Sequence, residues 1–267
     1  MAKQPRYQAI LADIFKRHHT KGAEAFEFSR GEIEASAKRL RIRLPKNLGD
    51  LIYSFRFRTD FPSEIADTAP EGKQWTIELA GHGRYRFCLR SAGRIVPRPN
   101  LLVIKVPDAT PEIVSRYALG DEQALLAKVR YNRLIDVFLG IAAYSLQNHL
   151  RTTVPGIGQL EIDELYVGVN RHGVQFVVPV QAKGSRDQIG TVQTAQDIAC
   201  CTRKFPRLVC RPVAAQFLKD DIIALFELAL QEKEVRVVDE RHYQLVPSDA
   251  ITDSDLAFYQ QENPADR

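Results

Sequence analysis

Long apolar runs are missing. Nothing in these 267 residues approaches the roughly 18 consecutive apolar residues that a membrane-spanning helix requires. Residues 1–5 also lack the apolar stretch of a signal peptide, so the expectation is a cytoplasmic protein. Cysteine is scarce. Cys88, Cys200, Cys201 and Cys210 form no Cys-x-x-Cys spacing, which argues against a thiolate zinc site and for reduced, mostly buried thiols. There is no internal repeat and no low-complexity tract. With 45% hydrophobic and 26% charged residues, the composition is that of a folded chain rather than a disordered one.

Acidic residues are under-represented in the first part of the chain. Residues 1–105 hold 20 Lys/Arg against 11 Asp/Glu, while the whole chain has a net charge of only +4. A basic N-terminal half suits a polyanionic partner, although charge alone also fits an ordinary solvated surface. Within it, "YQAILADIFKRHH" places Ile10, Leu11, Ile14 and Phe15 at helical spacing. A second helix starts at "SRGEIEASAKRL", where Ser29 and Glu32 make a capping box. A third, in "PKNLGDLIYSFRFR", aligns Leu48, Leu51, Ile52 and Phe55. "KQWTIELA" and "RYRFCLR" follow as two strands joined by Gly81-His82-Gly83.

Three helices and a hairpin are the order of a winged helix-turn-helix. Such a domain usually lays its third helix in the major groove of double-stranded DNA while the hairpin touches the backbone. The expected contacts are Lys46, Asn47, Asp50 and Ser54 on the third helix and Arg56 and Arg58 at its end. His82, Arg84 and Arg86 would act from the hairpin. Asn can read adenine, and Lys can reach guanine or phosphate. The same residues also fit the solvated face of a small α+β domain. A Gly- and Pro-containing connector at 91–100 places a boundary near residue 108, dividing the chain into 1–108 and 109–267.

The segment 110–150 reads as helical, starting at Thr110-Pro111 and interrupted at Gly120, with Leu125, Val129, Phe138, Ile141 and Leu146 as buried positions. Strands follow in "RTTV", "GQLEIDELYVGV" and "VQFVVPVQAK", then a helix in "QIGTVQTAQDIACCTRKF", then further strands. The turn "NRHG" pairs the second and third of these strands as a hairpin. Lys183 stands out, because an unpaired ammonium is costly to bury in an apolar strand. Residues two apart on a strand share a face. Glu161 therefore lies with Asp163, Gln181 lies with Lys183, and Glu164 points to the other side. If the hairpin brings the two faces into register, two carboxylates, an amide oxygen and an ammonium converge. Those are the groups that metal-assisted phosphodiester hydrolysis uses: oxygen ligands for Mg²⁺ and a cation to stabilise the transition state. A structural cross-strand ion pair between Asp163 and Lys183 is the alternative.

With Asp163 in "EIDELYVG" and Lys183 in "VPVQAKG", the sequence resembles the PD-(D/E)xK nuclease superfamily, the fold of many type II restriction endonucleases and of archaeal junction resolvases. Gln181 stands where Asp or Glu is usual, a Q-x-K variant known in the superfamily, and Ile162 replaces the Pro. The resemblance spans about 110–228 and implies an αβββαβ core, a central mixed sheet flanked by helices. It implies a Mg²⁺-dependent DNA endonuclease, with Mn²⁺ able to substitute and no small-molecule cofactor; cleavage of both strands needs two active sites, so a homodimer is expected. It also implies a further acid on the preceding helix, for which Glu122 is the candidate and Asp121 and Asp136 are rivals. Metal ligands would be Asp163, Gln181 and Glu161. Ser185 and Arg186, just past the lysine, are expected at phosphate. Gln193 and Gln196 share a face of the following helix. A DNA-binding protein with a degenerate nuclease fold and a structure-specific junction or repair nuclease are the competing readings.

Overall fold

The computed structural model describes residues 4–45, 48–57, 59–91, 95–117, 122–185, 187, 189–232 and 234–262. They divide into two compact units. One contains residues 1–94, 151–160 and 190–196, and the other residues 95–150, 161–189 and 197–267.

The first unit begins with α1 (Gln4–His18), β1 (Ala25–Ser29), α2 (Arg30–Arg39) and α3 (Leu48–Phe57). It continues with the one-turn α4 (Ser63–Ala66), β2 (Lys73–Leu79) and β3 (Arg84–Ser91). The apolar faces expected on α1 and α3 are the buried ones. Ile10, Leu11, Ile14, Phe15, Leu48, Leu51, Ile52 and Phe55 join Phe28, Ile33, Trp75, Ile77 and Phe87 in one core. Trp75 is a core residue whose Nε1 donates to Thr68 Oγ1 at 2.8 Å. The Ser29–Glu32 capping box is present at the start of α2. β2 and β3 pair antiparallel through the expected glycine turn. β1 has no counterpart in the sequence reading. It completes a three-stranded sheet in the order β1-β3-β2, with Phe26 and Phe28 facing the core while Glu27 faces the opposite side.

The second unit holds most of the remaining elements. These are β4 (Val103–Pro107), α5 (Glu112–Tyr117), α6 (Glu122–Tyr131), α7 (Leu134–Leu139), β5 (Ala142–Val154), β6 (Gly158–Val169) and β7 (Gln175–Lys183). After them come α8 (Thr191–Lys204), β8 (Val209–Cys210), β9 (Val213–Phe217), β10 (Ile222–Gln231), β11 (Glu234–Val246) and α9 (Asp253–Glu262), while the parts of β5, β6 and α8 within 151–160 and 190–196 belong to the first unit. The strands form a large mixed sheet, ordered β4-β11-β10-β9-β7-β6-β5, with β8 also paired to β7. β7 runs parallel to β9 and antiparallel to β6. The fold is mixed α/β, with this sheet flanked by helices.

The helical expectation for 110–150 needs correction. Arg133 and Gly140 adopt left-handed φ values of 49° and 63° and interrupt the helix, and 142–154 is strand. Leu146, expected inside, is 52% exposed. Phe138 is half-buried, while Leu125, Val129 and Ile141 are buried. The strand lies at the edge of the sheet, where one neighbour is missing and both faces of 144–149 meet solvent. An edge strand of this kind has no period-2 alternation to betray it. The four cysteines are free, three of them buried.

The two faces of the sheet differ. One face of β7, β9 and β10 offers Val178, Val180, Ala182, Val213, Ala215, Ile223 and Leu225 to the Leu and Val side chains of α6 and α7. Side chains alternate along each strand, so Gln181 and Lys183 fall on the second face.

Candidate active site on the second face of the sheet

The pairing of β6 with β7 runs from Val169↔Gln175 to Glu164↔Val180. Beyond that point β7 pairs in parallel with β9, from Val180↔Val213 to Lys183↔Gln216. Where the ladder ends, the Asp163 side chain takes over from a strand carbonyl: its Oδ2 accepts a hydrogen bond from the Ala182 amide at 2.9 Å. This bond fixes the carboxylate across the backbone that separates Gln181 from Lys183. Gln181 is 2% and Lys183 8% exposed. Burial pushes the Asp163 carboxyl above its usual value. The Lys183 charge and the Ala182 amide oppose that rise, Glu161 adds to it, and His149 works against it. Asp163, Glu161, Lys183 and His149 thus lie within electrostatic reach of one another.

His149 was not anticipated. Its Nδ1 lies 2.9 Å from Glu161 Oε1, and its own backbone is left-handed at φ 48°. Its place in "SLQNHL", read as the end of a helix, concealed it. Gln216 was also missed. Buried at 5% exposure, it is the cross-strand neighbour of Lys183. Its Nε2 donates to the carbonyls of Gly184 at 3.2 Å and Asp187 at 2.7 Å. Within the same turn, Asp187 Oδ2 accepts from the Gly184 amide at 3.2 Å, and a Cβ on Gly184 would meet that oxygen at 2.8 Å. The turn after Lys183 is therefore anchored to β9. A lone Gln in the apolar stretch "VAAQF" is the same signal that marks Gln181, and it would have found Gln216.

Glu164 faces the other way, as expected. It is fully buried, with Oε1 accepting from Arg130 Nε at 2.8 Å and Ser145 Oγ at 2.7 Å. Its role is structural, tying β6 to α6 and β5. Glu122 is the first residue of α6 and half-buried; the groups that shift the Asp163 carboxyl do not include it. Asp136 caps the start of β5, accepting from the Ala143 amide at 3.0 Å. Ser185 is exposed in the turn after Lys183. Arg186 and Asp121 lie outside the described residues.

In the first unit, Lys46, Asn47 and Arg58 lie outside the described residues, as do the side chains of Asp50 and Arg56 on α3. Ser54 is half-buried and its hydroxyl bonds Thr59 Oγ1 at 2.7 Å. His82 is exposed at the hairpin tip. Arg84 and Arg86 are both paired with Glu27, which stands opposite Arg86 on β1. The strand that the sequence reading lacked therefore supplies the carboxylate that occupies them.

Among the described residues no helix is long and apolar enough to cross a membrane. No three His, Cys, Asp or Glu side chains among them gather as a metal site. A Mg²⁺ ion at this face would rely on the Asp163 and Glu161 carboxylates and the Gln181 amide oxygen. Hard oxygen donors of this kind fit an ion that ordinarily keeps several waters and takes only one or two protein carboxylates. Compared with protein-family models, curated proteins and solved structures, the chain matches none at a significant level.

Proposed function

We propose that this chain is a Mg²⁺-dependent DNA endonuclease of the PD-(D/E)xK type, a Q-x-K variant, acting in restriction or a related process. The observation that carries the reading is the Asp163 carboxylate, fixed by the Ala182 amide and acted on by the charge of buried Lys183. The succession of α6 and α7, β5, β6, β7, α8 and β9, with the two-residue β8 before β9, supports an αβββαβ core. In the first unit, the order α1-β1-α2-α3-β2-β3, with the one-turn α4 between α3 and β2, supports a winged helix that engages double-stranded DNA. A homodimer would present two such sites, one to each strand.

In this reading Asp163, Glu161 and Gln181 hold the ion, and Mn²⁺ substitutes for Mg²⁺. Bound there, the ion supplies an activated water and neutralises phosphate charge. Lys183 stabilises the negative charge that builds on the phosphate oxygens, an interaction strengthened by its low-dielectric surroundings. Asp163 is oriented by the Ala182 amide, so its geometry is set before substrate arrives. His149 orients Glu161. Gln216 holds the turn that carries Ser185 toward a phosphate.

The test is cleavage of supercoiled plasmid with Mg²⁺, with and without chelator, beside Lys183→Ala. Wild-type cleavage is expected, lost in the variant while DNA binding persists, because removing a transition-state contact costs rate rather than ground-state affinity. Discrete fragments identify a site-specific enzyme, and cuts confined to branched DNA identify a junction nuclease. Near-wild-type turnover by Lys183→Ala removes the catalytic assignment. Gln181, standing where an acid is usual, favours one second reading, a DNA-binding protein with a degenerate nuclease fold. Binding without cleavage would establish it.

A further inference from the structure

Among the described residues, seven of the first unit's basic side chains are already paired with carboxylates. Arg17 and Arg39 pair with Asp13, Arg30 with Glu34, and Lys73 with Glu24. Arg84 and Arg86 pair with Glu27, and Arg90 with Glu78. The end of α2 and its connection to α3 are different. Between Ala35 and Gly49 the sequence holds five basic and no acidic residues. Of these, Lys38, Arg41 and Arg43 are exposed, and among the described residues none of the three is in an ion pair.

The backbone there is specialised as well. α2 ends in a Schellman motif, with Ile42 N donating to Ala37 O at 2.9 Å and Arg41 N to Lys38 O at 3.2 Å. The left-handed residue of that motif is ordinarily glycine, which has no Cβ to clash. Here it is Arg41, at φ 55°. Strained non-glycine positions cluster where function retains them. Ile42 and Leu44 pack against the core, so Arg41 and Arg43 alternate with them and project outward.

We infer that the last turn of α2 and the connection after it, through Lys38, Arg41 and Arg43, are the main phosphate-contacting surface of the first unit, and that its partner is the backbone of duplex DNA. This rests on the DNA-binding reading above. It relocates the electrostatic contact from the hairpin arginines, which Glu27 occupies, to three basic side chains that are in no ion pair among the described residues. Contacts of this kind carry affinity without sequence preference.

The test measures full-length protein binding a labelled duplex of arbitrary sequence by fluorescence anisotropy, without divalent metal, at several salt concentrations. Neutralising all three residues (Lys38→Gln, Arg41→Gln, Arg43→Gln) should reduce affinity at least tenfold near physiological salt. It should also flatten the slope of log K against log[salt] by up to about 2.7, at roughly 0.9 for each phosphate that is no longer neutralised. Lys21→Gln, an exposed basic residue of the same unit, should change neither quantity by more than a small fraction. Arg41→Gly alone should flatten the slope by about 0.9 while raising the melting temperature, since glycine relieves the left-handed position. A residue kept only for the fold would not gain stability and lose binding together. If the wild type binds DNA and the triple variant keeps its affinity and slope, this surface is refuted while the DNA reading stands. If the wild type binds no duplex even at low salt, the DNA reading fails and this inference fails with it.

Discussion

Asp163→Asn is expected to stabilise the folded protein at neutral pH while abolishing metal-dependent cleavage. The wild-type carboxyl titrates above its ordinary value of 3.8, chiefly because it is buried. The attraction of Lys183 is already part of that balance and does not overcome the burial. A carboxyl whose folded pKa lies above its unfolded one keeps its proton in the folded state after the unfolded chain has released it. Stability therefore falls as pH rises from the unfolded value to the folded one, and remains lower above that window. Asparagine cannot ionise, and its side-chain oxygen can still accept from the Ala182 amide. The variant should match the wild type below about pH 3.9, the unfolded value, then gain on it through the window and hold the advantage to pH 7. A tenfold change in the ionisation constant corresponds to about 1.4 kcal/mol. The gain is the free-energy equivalent of the difference between the folded and unfolded ionisation constants, and it is read as a higher melting temperature for the variant at pH 7. Thermal melts of both proteins from pH 3 to 8, without metal, measure it. A variant less stable than the wild type at pH 7 would show that Asp163 and Lys183 form a stabilising ion pair. The inference that this acid is held at a stability cost for chemistry would then be wrong.

Two further expectations separate structural from functional charges. Glu164→Ala should lower stability by about 3 kcal/mol, read from the urea midpoint. It leaves Arg130 without its buried partner, and the loss sits at the lower end for a broken buried pair because Arg130 retains 35% exposure; an unchanged midpoint would contradict the structural role. Glu27→Gln should release Arg84 and Arg86 and steepen the salt dependence of DNA binding by up to about 1.8, at roughly 0.9 for each newly neutralised phosphate. An unaltered slope would mean that the hairpin arginines do not meet the DNA backbone even when freed.

What the sequence revealed and what it hid follow one physical line. α1, α3 and the β2–β3 hairpin were legible because their apolar periodicity is the same property that buries them in the core. Lys183 and Gln181 were legible for the opposite reason. Each breaks an apolar strand pattern, and such a break is tolerated only where burial of a polar group serves something else. β1 escaped because five residues ending in the N-cap of α2 are too few for a period to register. β5 escaped because it lies at the sheet edge, where solvent on both faces removes the alternation that marks a strand.

The consequences of these omissions fall on the charges. The pairing of Glu27 with two arginines depends on the register Glu27↔Arg86 across β1 and β3, and the contact of His149 with Glu161 on strands that start at residues 142 and 158. Neither partner is near in sequence, and an isolated Arg or Glu reads identically whether it is paired or free. A count of 20 basic against 11 acidic residues in 1–105 therefore does not tell paired arginines such as Arg84 and Arg86 from ones in no ion pair. Sheet register decides which positive charges remain available to a polyanion. The left-handed arginine at 41, invisible without backbone geometry, points to the place where that charge is concentrated.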